Sequence, residues 1–165
     1  MTLPIDELID NVEDVARQCL FLLTPKSPGG LPGNVSYLVS SSTVPAHTID
    51  PIELNWQGQI AKYGSTHTWD DWTVTFKVDK NAEIHKSFVK WSNKIHHPET
   101  GVHGAPSDYM EDQKVEMLDG DGNPISSFNL IKAWPSSVGE ITLDYSAKEA
   151  ATFDVTFAFQ YAIPA

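Results

Sequence analysis

The sequence predicts a mainly β fold: an antiparallel β-sandwich or barrel with one flanking α-helix at about 82–97 and a short N-terminal helix. Three observations carry that expectation. Apolar and polar residues alternate with period two in several stretches, as half-buried strands require. A helical stripe is convincing in one long segment. Gly and Pro clusters punctuate the chain between these segments.

Residues 4–16 read as the short helix. Pro4 suits its first turn, and Ile5, Leu8, Ile9, Val12, Val15 and Ala16 recur at a spacing of three to four. Leu20–Leu23 reads as a strand and Val35–Ser41 as its returning partner, with the Gly/Pro-dense 27–34 segment as the loop of that hairpin. Ile52, Leu54 and Trp56 alternate with polar residues, Gln57-Gly58 is a tight turn or bulge, and 59–63 continues or pairs back. Trp69–Val78 is a stronger strand, with Trp72, Val74, Phe76 and Val78 on one face.

The main helix carries Ile84, Phe88, Trp91 and Ile95 on one stripe, with Asp79 or Asn81 to cap it and Pro98 to stop it. Residues 98–112 form a long polar loop, of a length that often carries a contact. Lys114–Leu118 and Ile125–Ala133 pair across the Asp119–Pro124 turn, and Trp134-Pro135 breaks the second of them. Glu140–Tyr145 is a further strand. The close, from Ala151 to Ile163, alternates without interruption and reads as one very long strand.

The chain's 165 residues suit one domain spanning 1–165, too short for two full cores. The net charge is −11, and residues 108–165 alone hold 10 acids against 3 bases. So acidic a chain is poorly equipped to grip phosphates or an anionic membrane, because both depend on Lys and Arg. No apolar run is long enough to span a bilayer, and the acidic amphipathic N-terminus does not read as a secretory signal. The single Cys19 has no intrachain partner and reads as a small buried apolar group.

No catalytic, cofactor-binding or metal-ligating residue is assigned, and the chain does not read as an enzyme. His85, His96, His97 and His103 cluster around the helix, but adjacent His96 and His97 diverge by about 100° on a helix and no Cys is near. Asp119, Asp121 and Asn123 imitate the start of a calcium loop; the sixth position is Pro124 and the twelfth Leu130, so a hairpin turn is the better reading. Asp70 and Asp71, adjacent on a strand, face opposite sides and make a poor acid–base pair. Hydrolase, phosphate-loop, dinucleotide and zincin motifs are absent.

Thr68-Trp69-Asp70-Asp71-Trp72-Thr73-Val74-Thr75-Phe76, followed by Phe88-Val89-Lys90-Trp91, resembles the tail tube proteins of contractile-tailed bacteriophages, the T4-like tail tube family. So do Trp134-Pro135-Ser136-Ser137-Val138-Gly139-Glu140-Ile141 and the close Thr152-Phe153-Asp154-Val155-Thr156-Phe157-Ala158. The motifs fall in the same order over nearly the whole chain; the 27–34, 98–112 and 119–123 segments depart from the pattern.

The resemblance implies a ring-forming tail-tube fold whose hexameric rings stack into the hollow tube through which phage DNA is ejected. It implies as partners further copies of the chain, a tail sheath protein, baseplate and tape-measure proteins, and double-stranded DNA passing without sequence-specific binding. Membrane span and cofactor are not expected, and the implied location is the virion tail, with host cytoplasm during assembly. Trp72, Phe76, Phe88 and Trp91 are expected to join helix to sheet, and Trp134, Pro135 and Gly139 to fix a bend. Ile5, Leu8, Ile9 and Val12, in a 1–16 arm, and Tyr109 are candidate subunit or ring contacts. The alternatives are a tube protein of a type VI-like or other contractile injection system, or a monomeric β-sandwich module binding a ligand through exposed Trp.

Overall fold

The computed structural model describes residues 15–165, together with Ile5 and Ile9. In chain order the strands are β1 (Phe21–Thr24), β2 (Val39–Ser42), β3 (His47–Trp56), β4 (Gln59–Trp69) and β5 (Trp72–Lys77). Helices α1 (Glu83–Ile95) and α2 (Pro106–Tyr109) follow, then β6 (Glu111–Leu118), β7 (Pro124–Val138), β8 (Thr152–Ala158) and β9 (Tyr161–Pro164). A 3₁₀ turn at Val35–Leu38 precedes β2. All strand pairings are antiparallel.

The main sheet runs β1-β6-β7-β8-β5-β2, with β9 also on β7; β3 and β4 pair only with each other. The first part of β7 pairs with β6 and β9, and Trp134–Val138 pairs with β8. One fifteen-residue strand therefore belongs to both halves of the sheet. Its turning point is a bulge. The β6–β7 register slips between Glu111 and Gln113, Lys132 has φ of 53°, and the Asp112 carboxylate accepts the Lys132 N–H at 2.9 Å. A bulged residue in the left-handed region bends a strand and increases its twist.

Period-two alternation explains the core. Trp72, Val74 and Phe76 are buried on β5 and sit opposite Phe157, Val155 and Phe153 of β8. The α1 stripe of Ile84, Phe88 and Trp91 closes over them, with ring centroids 5.1 Å apart for Phe76–Phe88 and 5.9 Å for Trp91–Phe157. Trp72, Phe76, Phe88 and Trp91 thus lie where helix meets sheet. Both buried indoles have a partner: Trp91 Nε1 donates to the Tyr109 carbonyl at 2.7 Å, and Trp72 Nε1 to the Thr43 carbonyl at 2.8 Å.

The helix is shorter than expected. Its first turn uses Asp79, whose carboxylate accepts the Ile84 N–H at 3.3 Å, while the Asn81 carbonyl accepts from Lys86 Nζ. It stops at Ile95 because the chain returns: Gly104 donates to the Ile95 carbonyl at 3.0 Å, and His96 bridges His103. A Cβ at Gly104 would overlap the Lys94 carbonyl oxygen, so only glycine permits this approach. The 98–112 segment is accordingly not a structureless loop: it holds this bridge and α2.

Other expectations are corrected by long-range pairing. The predicted 20–23/35–41 hairpin does not form; β1 pairs with β6 and β2 with β5. The 69–78 strand is interrupted at Asp70–Asp71, where β4 leaves off and β5 begins. Trp134-Pro135 does not break a strand. Pro135 is buried opposite Phe157, beside a register shift that spares its missing N–H. Residues 140–145 form no strand; Leu143 and Tyr145 are exposed, and an Asp144–Ser146 turn replaces the ladder. The closing strand divides at Phe159–Gln160, and beyond it Ala162 is buried while Tyr161 and Ile163 face outward. Ile5 and Ile9 are helical as expected, but Val15 and Ala16 are not, and Cys19 is exposed rather than buried. The Leu8 and Val12 positions lie outside the described residues.

Gln113, buried on β6, was not singled out by any sequence signal. Its amide accepts the Lys26 N–H at 2.8 Å and donates to the Lys26 carbonyl at 2.9 Å, tying the 25–34 segment to the sheet. Gln113→Met should cost about 2 kcal/mol in urea unfolding by leaving both backbone groups unpaired; a loss below about 0.5 kcal/mol would refute the clamp.

The Asp119 turn closes β6 on β7 through its own carboxylate. Its carboxylate accepts the N–H of Asn123 at 2.8 Å and of Asp121 at 2.9 Å, and these bonds, Asn123 first, hold its pKa below the usual value. A depressed carboxylate contributes stability above its unfolded pKa and loses it as pH falls through the folded one. Amide exchange at Asp121 and Asn123 should therefore quicken as pH drops below about 4, relative to β7 amides. Equal protection at pH 6 and pH 2.5, after correction for intrinsic rates, would contradict this role.

Candidate assembly surface

The β3–β4 hairpin is the largest feature that the domain leaves uncovered. Every residue of its two strands is exposed except Trp69 at the root, which is half-buried against Phe159. Its turn is built for a hairpin. Gln57 and Gly58 both have positive φ, at 47° and 80°, which matches the two-residue turn that follows strand twist. Trp56 and Gln59 close the ladder, and a register shift between Ile49 and Pro51 sets off the root.

Pairing sorts the outer hairpin into two faces. Ile52–Tyr63, Leu54–Ala61 and Trp56–Gln59 are cross-strand pairs on one face, and Glu53–Lys62 lies on the other with an ion pair of 3.1 Å. Trp56, with 73% of its surface accessible, leads the apolar face. A ribbon of this kind is marginal alone in water and needs a surface to cover. At the root, His47, His67 and Trp69 cluster with ring centroids 4.9 Å apart, His67 stacked on Trp69 and His47 edge-on to His67.

Three other features stand out. Ile5 and Ile9 are 69% and 62% exposed. Strands β1 and β2 end the sheet order and leave unpaired edges, which natural monomers usually block. The outer face of β5 and β8 is polar: Thr75 donates to the Asp154 carboxylate at 2.6 Å, and the Thr73 and Thr156 hydroxyls lie 3.3 Å apart.

The residues expected to form contacts or fix a bend are distributed unevenly over this surface. Tyr109 is half-buried, its ring edge-on to Trp134 at 6.2 Å, so it braces α2 against β7. Gly139 donates to the Asp154 carbonyl at 2.6 Å, and a Cβ there would come within 2.8 Å of that oxygen. It fixes the exit of β7 beside β8. Trp134 and Pro135 lie just past the Lys132 bulge that makes the bend. The exposed hairpin face was not among the expected contacts, although the Ile52-Leu54-Trp56 alternation is visible in the sequence. Among the described residues no three potential ligands converge on a metal position.

A compact β domain whose described residues leave an apolar ribbon and two sheet edges uncovered has the build of a structural subunit. The phage tail tube protein family model matches residues 2–163. The chain is 30% identical over 157 residues to tail tube protein gp19 of Enterobacteria phage T4, covering 90% of this chain and 91% of that one. The fold is similar to the tube-terminating cap of the anti-feeding prophage, with a TM-score of 0.71, 17% identity and 93% of each chain covered. It is also similar to a chain of the sheath–tube complex of an extracellular contractile injection system in its extended state, with a TM-score of 0.66, 14% identity and 99% of each chain covered. The chain belongs to the phage tail tube protein family. Its role is that of a structural tube protein of a contractile tail.

Proposed function

We propose that the chain is the main tube subunit, forming hexameric rings that stack into the hollow core of the tail. The observation that carries this reading is the β3–β4 hairpin, whose apolar face finds no cover among the described residues. Six copies that close a ring, and rings that stack, supply that cover and join open edges. A sheath surrounds the tube, a baseplate starts it, and a tape-measure protein sets its length. Assembly takes place in the host cytoplasm.

The polar outer face of β5 and β8 is our candidate for the lumen wall. Thr and Asp side chains without a cluster of cations leave DNA free to slide, because tight phosphate binding depends on Lys and Arg. The acidic total charge acts in the same direction within about 8 Å of the wall at physiological ionic strength. The monomeric ligand-binding alternative gains little from the structure: of the five tryptophans, Trp56 is the exposed one, and it sits on the hairpin.

Negative-stain electron microscopy across a concentration series, with light scattering, tests the proposal. Six-fold rings or hollow tubes are expected. Protein that stays monomeric even when offered baseplate nuclei would overturn it. Deleting residues 1–12, which carry Ile5 and Ile9, should block ring stacking while leaving a folded domain. Tubes of normal length from the truncated protein would rule that arm out as a stacking contact.

A further inference from the structure

The lysines of this acidic chain are not spread evenly. Residues 77–97 hold five of the ten lysines against two acids, Asp79 and Glu83, although the whole chain has a net charge of −11. Three of them, Lys86, Lys90 and Lys94, recur every fourth residue on α1 and are exposed. At 100° per residue Lys86 lies opposite the Ile84, Phe88 and Trp91 stripe that faces the core, and Lys90 and Lys94 follow round the exposed side to the flank beside Trp91. Glu83 heads the same face and is its one acid.

Like charges four residues apart on a helix repel, and among the described residues no carboxylate lies within ion-pair distance of them. The ion pairs among the described residues, Lys62–Glu53 and Lys114–Glu116, both lie elsewhere. Lys86 Nζ reaches only the Asn81 carbonyl, at 3.0 Å. Beside Lys90 and Lys94 the helix and the Ser27–Gly30 turn enclose a cleft of about 90 Å³, lined also by Ser87 and Trp91. Such a notch, flanked by two ammonium groups, accepts a carboxylate side chain.

We infer that the Lys86–Lys90–Lys94 face of α1 is a docking surface for an acidic protein surface, which on the tube reading belongs to the enclosing sheath. The inference rests on that reading. Charge complementarity selects the partner: a row of unpaired cations recognises carboxylates presented at helical spacing. Duplex DNA is the weaker occupant, because three lysines on a chain this acidic provide few phosphate contacts against a large like-charge repulsion. The contact is held by charge, so it stays weak enough to release when a sheath moves past its tube.

The test is co-sedimentation of preassembled tubes with purified sheath subunits from the same phage, and separately with a 30-bp DNA duplex. Tubes carrying Lys86→Glu, Lys90→Glu and Lys94→Glu should look like wild type by electron microscopy and retain at least tenfold less sheath. The triple Gln variant should fall between, and salt raised from 50 to 500 mM should release sheath from wild-type tubes. Variant tubes that bind sheath as wild type does would overturn the inference. So would loss of DNA retention with sheath binding intact. If the Glu variant forms no tubes, the Gln variant carries the test; if neither does, the row serves self-assembly and the inference is wrong. Wild-type protein that forms no tubes even when offered baseplate nuclei fails before sheath is added, and that outcome removes the proposed tube assembly itself.

Discussion

A Leu54→Glu, Trp56→Glu double variant is expected to remain a folded monomer and to form no tubes at concentrations where the wild type polymerises. Both side chains lie on the apolar face of the hairpin with Ile52 and Tyr63, outside the core. Burying a Leu or Trp in a subunit contact stabilises it by roughly 1.5–3 kcal/mol each, and a buried unpaired carboxylate opposes it by more. A ring repeats the loss at every interface, so the effect on assembly is all or none. Size-exclusion chromatography and electron microscopy read the assembly, and the thermal midpoint reads the fold. Tubes from the double variant would exclude this face as an interface. A midpoint lowered by more than a few degrees would show that the hairpin supports its own domain.

The second large effect lies in the core. Phe88→Ala should cost about 3–5 kcal/mol and lower the thermal midpoint by about 10 °C. The ring stands within 5.1–6.1 Å of Phe76, Trp91, Phe153 and Phe157, centroid to centroid, and so joins α1 to both β5 and β8. Total stability of a domain is about 5–15 kcal/mol, so the variant approaches the threshold of folding. Phe88→Leu should recover more than half of the loss. A cost below about 1 kcal/mol in urea unfolding would mean that the helix is not a member of the core.

The elements that were legible in the sequence are those whose two faces differ. Trp72–Val78 alternates because one side meets α1 and the other meets solvent, and the α1 stripe mirrors it. The β6–β7 pairing was legible from its turn, but the partners of β1 and β2 were not, since strands brought together from distant parts of the chain leave no record in local periodicity. The closing strand misled because Phe159 and Tyr161 continue its alternation through a backbone break, after which the faces exchange and Ala162 turns inward. Glu140–Tyr145 has the alternation of a strand, but the chain turns at Asp144–Ser146 and no ladder forms there. Pro135 looked like a terminator, yet beside a register shift its missing donor is harmless. The hairpin shows the limit most clearly. Ile52, Leu54 and Trp56 carry the pattern of burial, and no surface among the described residues buries them.

The strand that crosses from one half of the sheet to the other has a mechanical consequence. β7 pairs with β6 and β9 before the Lys132 bulge and with β8 after it, so a single run of covalent backbone passes through both halves. Neither half can slide over the other without stretching that backbone or stripping its ladder. A pull applied to either half is borne in shear by many hydrogen bonds at once, rather than by unzipping one pair at a time. A tube made of such subunits behaves as a stiff rod when it is driven forward, and its subunits should yield in a single step, with the bulge as the corner around which the load turns.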